Sequence, residues 1–154
     1  VAKHYYFQQP TMEDIKYLAD HLRPEDRREI AGMTGADFLT EIRHCVASSA
    51  CCWSCLCDGQ LLAIFGVICT NPFRKHGIIW MLSTEHTVDH KMYAGRMTRK
   101  GLNAILQDWE YLYNYVDEGN NRTIAWLKWM GAKVYPPRPR GLYGYPYHLF
   151  TFKR

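Results

Sequence analysis

The sequence predicts an α+β fold: a mixed, mostly antiparallel central sheet with helices on both faces, built as a single domain over residues 1–154. Three observations predict it. Apolar residues alternate in some blocks and recur at helical spacing in others, in the order strand, helices, three strands, helix, strand, helix, strand. Asp58-Gly59 lies between two apolar, branched and aromatic runs, which is hairpin-turn chemistry. The stretch from Tyr115 to Ala132 reads as a strand end, an Asn helix cap, a short amphipathic helix and a Gly stop, with a new extended segment at Val134.

Each element follows from local chemistry. His4 to Gln9 is a short aromatic strand ended by Pro10. Thr11 caps a helix, with Asp14 three residues on in a near match to a capping box, and Ile15, Leu18, Ala19 and Leu22 form its apolar stripe. Pro24 opens a second, charged helical segment that runs to Ala31 and is broken by Gly32 and Gly35. Gly35-Ala36-Asp37 opens a third helix, with Phe38, Leu39, Ile42 and Val46 at helical spacing. Cys51–Cys57, Leu61–Thr70 and Gly77–Leu82 form an antiparallel meander. Asp89 to Glu110 reads as a helix weakened by Gly95 and Gly101. Tyr111–Val116 is the next strand. Asn120 or Asn121 caps the short helix after it, Ile124 and Leu127 anchor that helix in the core, and Gly131 ends it. Pro136 to Gly144 is expected to be a loop and Tyr147–Phe152 the last strand.

Nearly half of the chain is hydrophobic, so a sizeable core is within reach and disorder is not expected. The longest apolar run, Leu61 to Cys69, is too short to span a bilayer. The opening residues Val1 to Tyr6 do not have the pattern of a signal peptide. The net charge of +4 is mildly basic, and no run of Lys and Arg dominates, so nucleic acid is not an expected partner. A nucleic-acid role through Lys133, Arg138 and Arg140 ranks last among the functional readings. Cys52-x-x-Cys55 has zinc-ligand spacing, but no second pair accompanies it. In a strand, Cys52 and Cys55 point to opposite faces, so no metal site is expected and the six cysteines read as reduced core thiols.

The strand–Asn–helix–Gly–strand arrangement of Tyr115 to Val134, together with the element order, resembles the GNAT fold of acetyl-CoA-dependent N-acetyltransferases. The resemblance implies a pyrophosphate-binding loop after the fourth strand, with Gln or Arg followed by glycines. The matching segment, Ser83 to Gly95, has Met92 at the Gln/Arg position and Met97 two residues past Gly95. It also implies a Tyr on the penultimate helix that protonates the departing thiolate. Alignment on Asn120 and Gly131 puts Leu127 there, and leucine donates no proton. Glu85 and His86, just after the fourth strand, are the candidate catalytic residues, since a general base could sit there. The competing reading makes them loop residues, with Glu85 or Asp89 capping the following helix.

A second resemblance covers Leu112 to Phe152. The strand Leu112-Tyr-Asn-Tyr-Val116, the Gly119-Asn120 helix opening, Trp126-Leu127-Lys128, Gly131-Ala132 and the closing Leu149-Phe150-Thr151 look like a family of internal virion protein A-like proteins of short-tailed phages. That resemblance implies a virion-associated or assembly protein with a catalytically degenerate GNAT-like fold. Its partners would be other phage virion proteins, and its place the phage virion, assembled in the host cytoplasm. No cofactor is expected on that reading. Acetyl-CoA belongs to the alternative, a divergent N-acetyltransferase acting on an amine. Arg138, Arg140, Tyr143 and Tyr145, in a Pro-stiffened segment, are the candidate interaction residues, with Trp126 and Trp129 as further aromatic positions.

Overall fold

A computed structural model describes residues 2–154, apart from the side chains at positions 93 and 94. The elements run β1 (Tyr5–Gln8), α1 (Met12–His21), α2 (Pro24–Met33), α3 (Phe38–Ser48), β2 (Cys51–Cys57), β3 (Gln60–Asn71), β4 (His76–Ser83), a 3-10 turn (Glu85–His90), α4 (Lys91–Ile105), β5 (Tyr111–Asp117), α5 (Asn121–Trp129), β6 (Lys133–Val134), β7 (Arg138–Arg140) and β8 (Tyr145–Lys153). The strands form one sheet in the order β1-β2-β3-β4-β5-β8-β6, with β7 also pairing β8. All neighbours are antiparallel except β4 and β5, which are parallel. This is the mixed, mostly antiparallel α+β architecture that the sequence predicts.

Two apolar clusters cover the two faces. One joins α1, α2 and α3 to the sheet through Ile15, Leu18, Leu22, Ile30 and Ile42, against Leu56, Ile64 and Trp80. The other joins α4 and α5 to it through Leu102, Ile105 and Leu127, against Val67, Leu112, Val116, Phe150 and Phe152. Strand alternation divides β2 between them. Cys52 and Leu56 pack into the first cluster, Cys51 and Trp53 into the second. All six cysteines are free.

The caps behave as chemistry dictates. Thr11 and Asp14 complete a reciprocal capping box on α1, Asp37 caps α3, and the Asn120 side chain caps α5 by accepting from Thr123 N–H. Gly131 takes the left-handed conformation, at φ 100°, that ends α5.

Four expectations need correction. Gly32 does not break α2, which continues to Met33 and stops before Gly35. Gly32 is buried because the Tyr147 hydroxyl of β8 occupies the space of its absent side chain. Helix α4 ends at Ile105, short of Glu110, because Gln107 and Asp108 turn back by bonding the carbonyls of Ala104 and Ile105. The Pro136–Gly144 loop contains β7, with Pro139 opposite Pro146, and so forms a hairpin onto β8. Neither Glu85 nor Asp89 caps α4, because the 3-10 turn runs straight into it through His90, which makes no side-chain cap.

Candidate active site

The parallel pair β4 and β5 holds together only from His76–Tyr111 to Ile78–Tyr113. The next residue of β5, Asn114, ends the ladder with its side chain. Its amide donates to the Ile79 carbonyl at 2.8 Å, and its side-chain oxygen accepts from Tyr115 N–H at 2.8 Å. An amide wedged between the strands replaces the main-chain partner, and the strands part beyond it. The cleft that opens has a volume of about 500 Å³. That is an ordinary size for a small-molecule site.

The cleft is apolar in the middle and charged at its margins. Ile79 and Met81 on β4, Val116 on β5, and Trp126 and Leu127 on α5 form the apolar part. Lys91 at the start of α4 and Arg122 at the start of α5 bring cations. Helix α2 brings Glu25, Asp26 and Glu29.

Asp26 is clamped. Arg23 reaches it through Nε at 3.1 Å and Nη2 at 3.0 Å, and Ser83 N–H at the end of β4 donates to it at 2.8 Å. Burial raises its pKa, while Arg23 and the Ser83 amide pull it back. These bonds fix α2 against the tip of β4.

Glu29, one turn further along α2, is held differently. It accepts from Asp117 N–H at 3.2 Å and from the Asn120 side-chain amide at 3.4 Å, and it has no ion pair among the described residues. Burial pushes its pKa up to about 7, and the neighbouring Asp26 and Asp117 charges add to the rise against the two hydrogen bonds. The turn that places its partners is tightly determined. Asp117 ends β5, its side chain accepts from Gly119 N–H at 2.7 Å, and Asn120 N–H bonds the Asp117 carbonyl at 2.9 Å. Arg28 Nε lies 3.0 Å from the buried Asp117 Oδ2, at ion-pair distance but out of hydrogen-bond alignment. A carboxylate poised near neutral pH at the edge of an apolar cleft has the properties of a general base.

The sequence-based candidates fall elsewhere. Glu85 is exposed, and His86 turns towards α1, with Nε2 2.7 Å from the Tyr17 hydroxyl. Neither lines the cleft, although the adjacent Thr87 and Val88 do. Leu127, in the position where the resemblance implies a proton-donating Tyr, is buried in the second apolar cluster. Arg138, Arg140, Tyr143 and Tyr145 do come together, on the β7–β8 hairpin, but outside the cleft lining. There the Arg140 guanidinium stacks 3.9 Å over the Tyr115 ring, and Tyr143 and Tyr145 stand exposed with their rings 5.5 Å apart. Trp126 lines the cleft, while Trp129 is half exposed beneath Arg99. Glu29 does not stand out in the sequence because α2 reads as a solvated, charged helix. The available signal was the spacing: Asp26 lies four residues before the apolar Ile30, and Glu29 lies three after Asp26, so all three share the inward face.

No family model matches this chain, and no curated protein matches it in sequence. Solved structures do match. A spermidine N-acetyltransferase from Vibrio cholerae, in complex with CoA and spermine, superposes with a TM-score of 0.71 at 11% identity, over 97% of this chain and 95% of that one. A GNAT-family acetyltransferase from Streptococcus pneumoniae gives 0.67 at 9% identity, over 98% and 100%. A ribosomal L7/L12 α-N-protein acetyltransferase in complex with coenzyme A gives 0.69 at 6% identity, over 97% and 93%. The fold is therefore that of the GNAT acetyltransferases.

The cleft's residues fit an acyl-CoA in part. Lys91 and Arg122 suit its phosphates, and the apolar walls suit its thioester arm. The glycine-lined backbone cradle is replaced by the 3-10 turn, which contains no glycine.

Proposed function

We propose that this chain is an acyl-CoA-dependent N-acyltransferase acting on an amine. Glu29 is the observation that carries the reading: a carboxylate with a pKa of about 7 on the wall of the cleft where β4 and β5 part. An acyl-CoA would supply an activated acyl thioester. Lys91 and Arg122 would hold its phosphates, and the β4 edge from Trp80 to Leu82, which has no strand partner on the β5 side, would border the thioester. Glu29 takes a proton from the acceptor ammonium. The freed amine bonds to the carbonyl carbon, the C–S bond breaks, and the second amine proton goes to the departing thiolate. A thiol with an ordinary pKa of about 8.5 is a good enough leaving group to depart without a dedicated acid, so Leu127 does not forbid the reaction.

The test is acyl transfer to a panel of primary amines. Glu29→Gln should lower kcat/KM by about 10² to 10⁴-fold with the fold intact. The wild-type rate should rise with pH through about 7, as Glu29 loses its proton. Absence of both turnover and calorimetric binding of acetyl-CoA at millimolar concentration would end this reading.

A second reading makes the chain a phage virion component that acts through protein contacts. It is supported by the exposed Leu142, Tyr143 and Tyr145 on the β7–β8 hairpin, residue types common at interfaces. If it holds, Tyr143→Ala combined with Tyr145→Ala should prevent incorporation into particles without loss of folding. Normal incorporation would overturn it.

A further inference from the structure

We propose that the hollow between α4 and the sheet is an acyl-chain pocket, so that the transferred group is an apolar chain well beyond acetyl in length. The proposal rests on the N-acyltransferase reading and names the donor for that site. The cleft is not confined to the fork between β4 and β5. It also runs under α4, past Met81 on β4, Phe65 on β3 and Cys55 on β2, to Phe7 on β1. Those four strands are consecutive in the sheet. At about 4.8 Å per strand, the hollow reaches roughly 14 Å sideways from the fork. At its far end Phe7, partly exposed on the outer strand, stands edge-on to Phe65 at 5.8 Å.

The roof explains why the space is there. Gly95, Thr98, Leu102 and Ile105 follow one another at helical spacing along the sheet-facing stripe of α4, with Gly101 beside them, and all five line the hollow. A helix that simply covered a sheet would carry large apolar residues along the whole stripe. Here a side chain added at Gly101 would meet no atom within 4 Å, and one added at Gly95 would meet only the Trp129 ring at 3.9 Å. An apolar space left open in this way gains from being filled by methylene groups. An acetyl group is too short to reach beyond the fork. The occupant is specified by its two ends: apolar walls for the chain, and Lys91 and Arg122 on the same cavity for an anionic carrier.

Calorimetry on the wild-type protein with acetyl-CoA, octanoyl-CoA and free octanoate tests this. Octanoyl-CoA should bind about tenfold or more tightly than acetyl-CoA. Gly101→Leu, which fills the open space, should bring that ratio close to one. It should also raise Tm, because leucine favours the helix over glycine, so lost preference would not reflect unfolding. If acetyl-CoA binds and octanoyl-CoA binds no tighter, the chain pocket is wrong and the N-acyltransferase reading stands. If neither CoA ester binds and neither is turned over, both fall. Octanoate binding as tightly as octanoyl-CoA would make the hollow a fatty-acid site, and a ratio unchanged in Gly101→Leu would place the chain elsewhere. Either result overturns the proposal.

Discussion

The two faces of the sheet are covered by the same kinds of element to different ends. On the α1–α3 face, polar groups are buried and bonded across elements. Asp14 accepts from Ser54 at 2.9 Å and from Gln8 at 3.0 Å, and Asp26 ties α2 to the tip of β4. On the α4–α5 face, the longest helix presents glycines to the sheet and leaves a cavity. The difference teaches where rigidity and room are placed. One face holds the frame through buried, bonded carboxylates, and the other leaves an open, mostly apolar hollow.

The comparison breaks most visibly at Asp26. Asp26→Ala leaves the Arg23 guanidinium and the Ser83 amide without their partner, and should cost about 3 kcal/mol or more in a denaturant melt. A loss below about 1 kcal/mol would mean that this face is not held as described.

The next effect comes from pH. Glu29 has its pKa raised from 4.5 to about 7 in the folded chain. Its contribution to stability is fully present below about pH 4.5 and is lost as pH rises through about 7. At about 1.4 kcal/mol per pH unit, native stability should fall by roughly 3 kcal/mol across that window. The Glu29→Gln variant should lack this slope, and the difference between the two urea-midpoint profiles isolates it.

A smaller effect is expected at Gly32→Ala, which drives a methyl group into the Tyr147 hydroxyl. The expected loss is about 1–3 kcal/mol. Because that hydroxyl is buried with no hydrogen-bond partner among the described residues, Tyr147→Phe should be close to neutral and should rescue Gly32→Ala in the double variant.

The smallest effect lies on the hollow face. Gly101→Ala should raise stability by about 1 kcal/mol, the helix-propensity difference, because nothing obstructs the added methyl. A loss instead would mean that α4 packs closer to the sheet than described.

Much of this frame was legible in the sequence, because caps, turns and apolar periods are local. Thr11, Asn120 and Gly131 act where their chemistry says they should. The misread positions depend on distant partners. Gly32 reads as a breaker until Tyr147, more than a hundred residues later, fills its space. Pro136 to Gly144 reads as a loop until β8 pairs with it. The candidate site was the least legible part. Glu29 gains its character from Asp117 and Asn120 across the fold, whereas Glu85 and His86 stand out only by their place after a strand, and the 3-10 turn carries them away from the cleft.

The Asn114 wedge has one more consequence. Its amide occupies the Ile79 carbonyl on one side and its oxygen the Tyr115 amide on the other, so the fork is bonded open by the protein itself. The two strands cannot zip together when no ligand is present. On the acyltransferase reading the cleft is therefore preorganised, and the proposed ligand need not prise the strands apart to enter. Association should be free of a slow opening step, and the sheet should keep one geometry whether filled or empty. A single side chain, one residue past the last paired position, sets the aperture of the molecule.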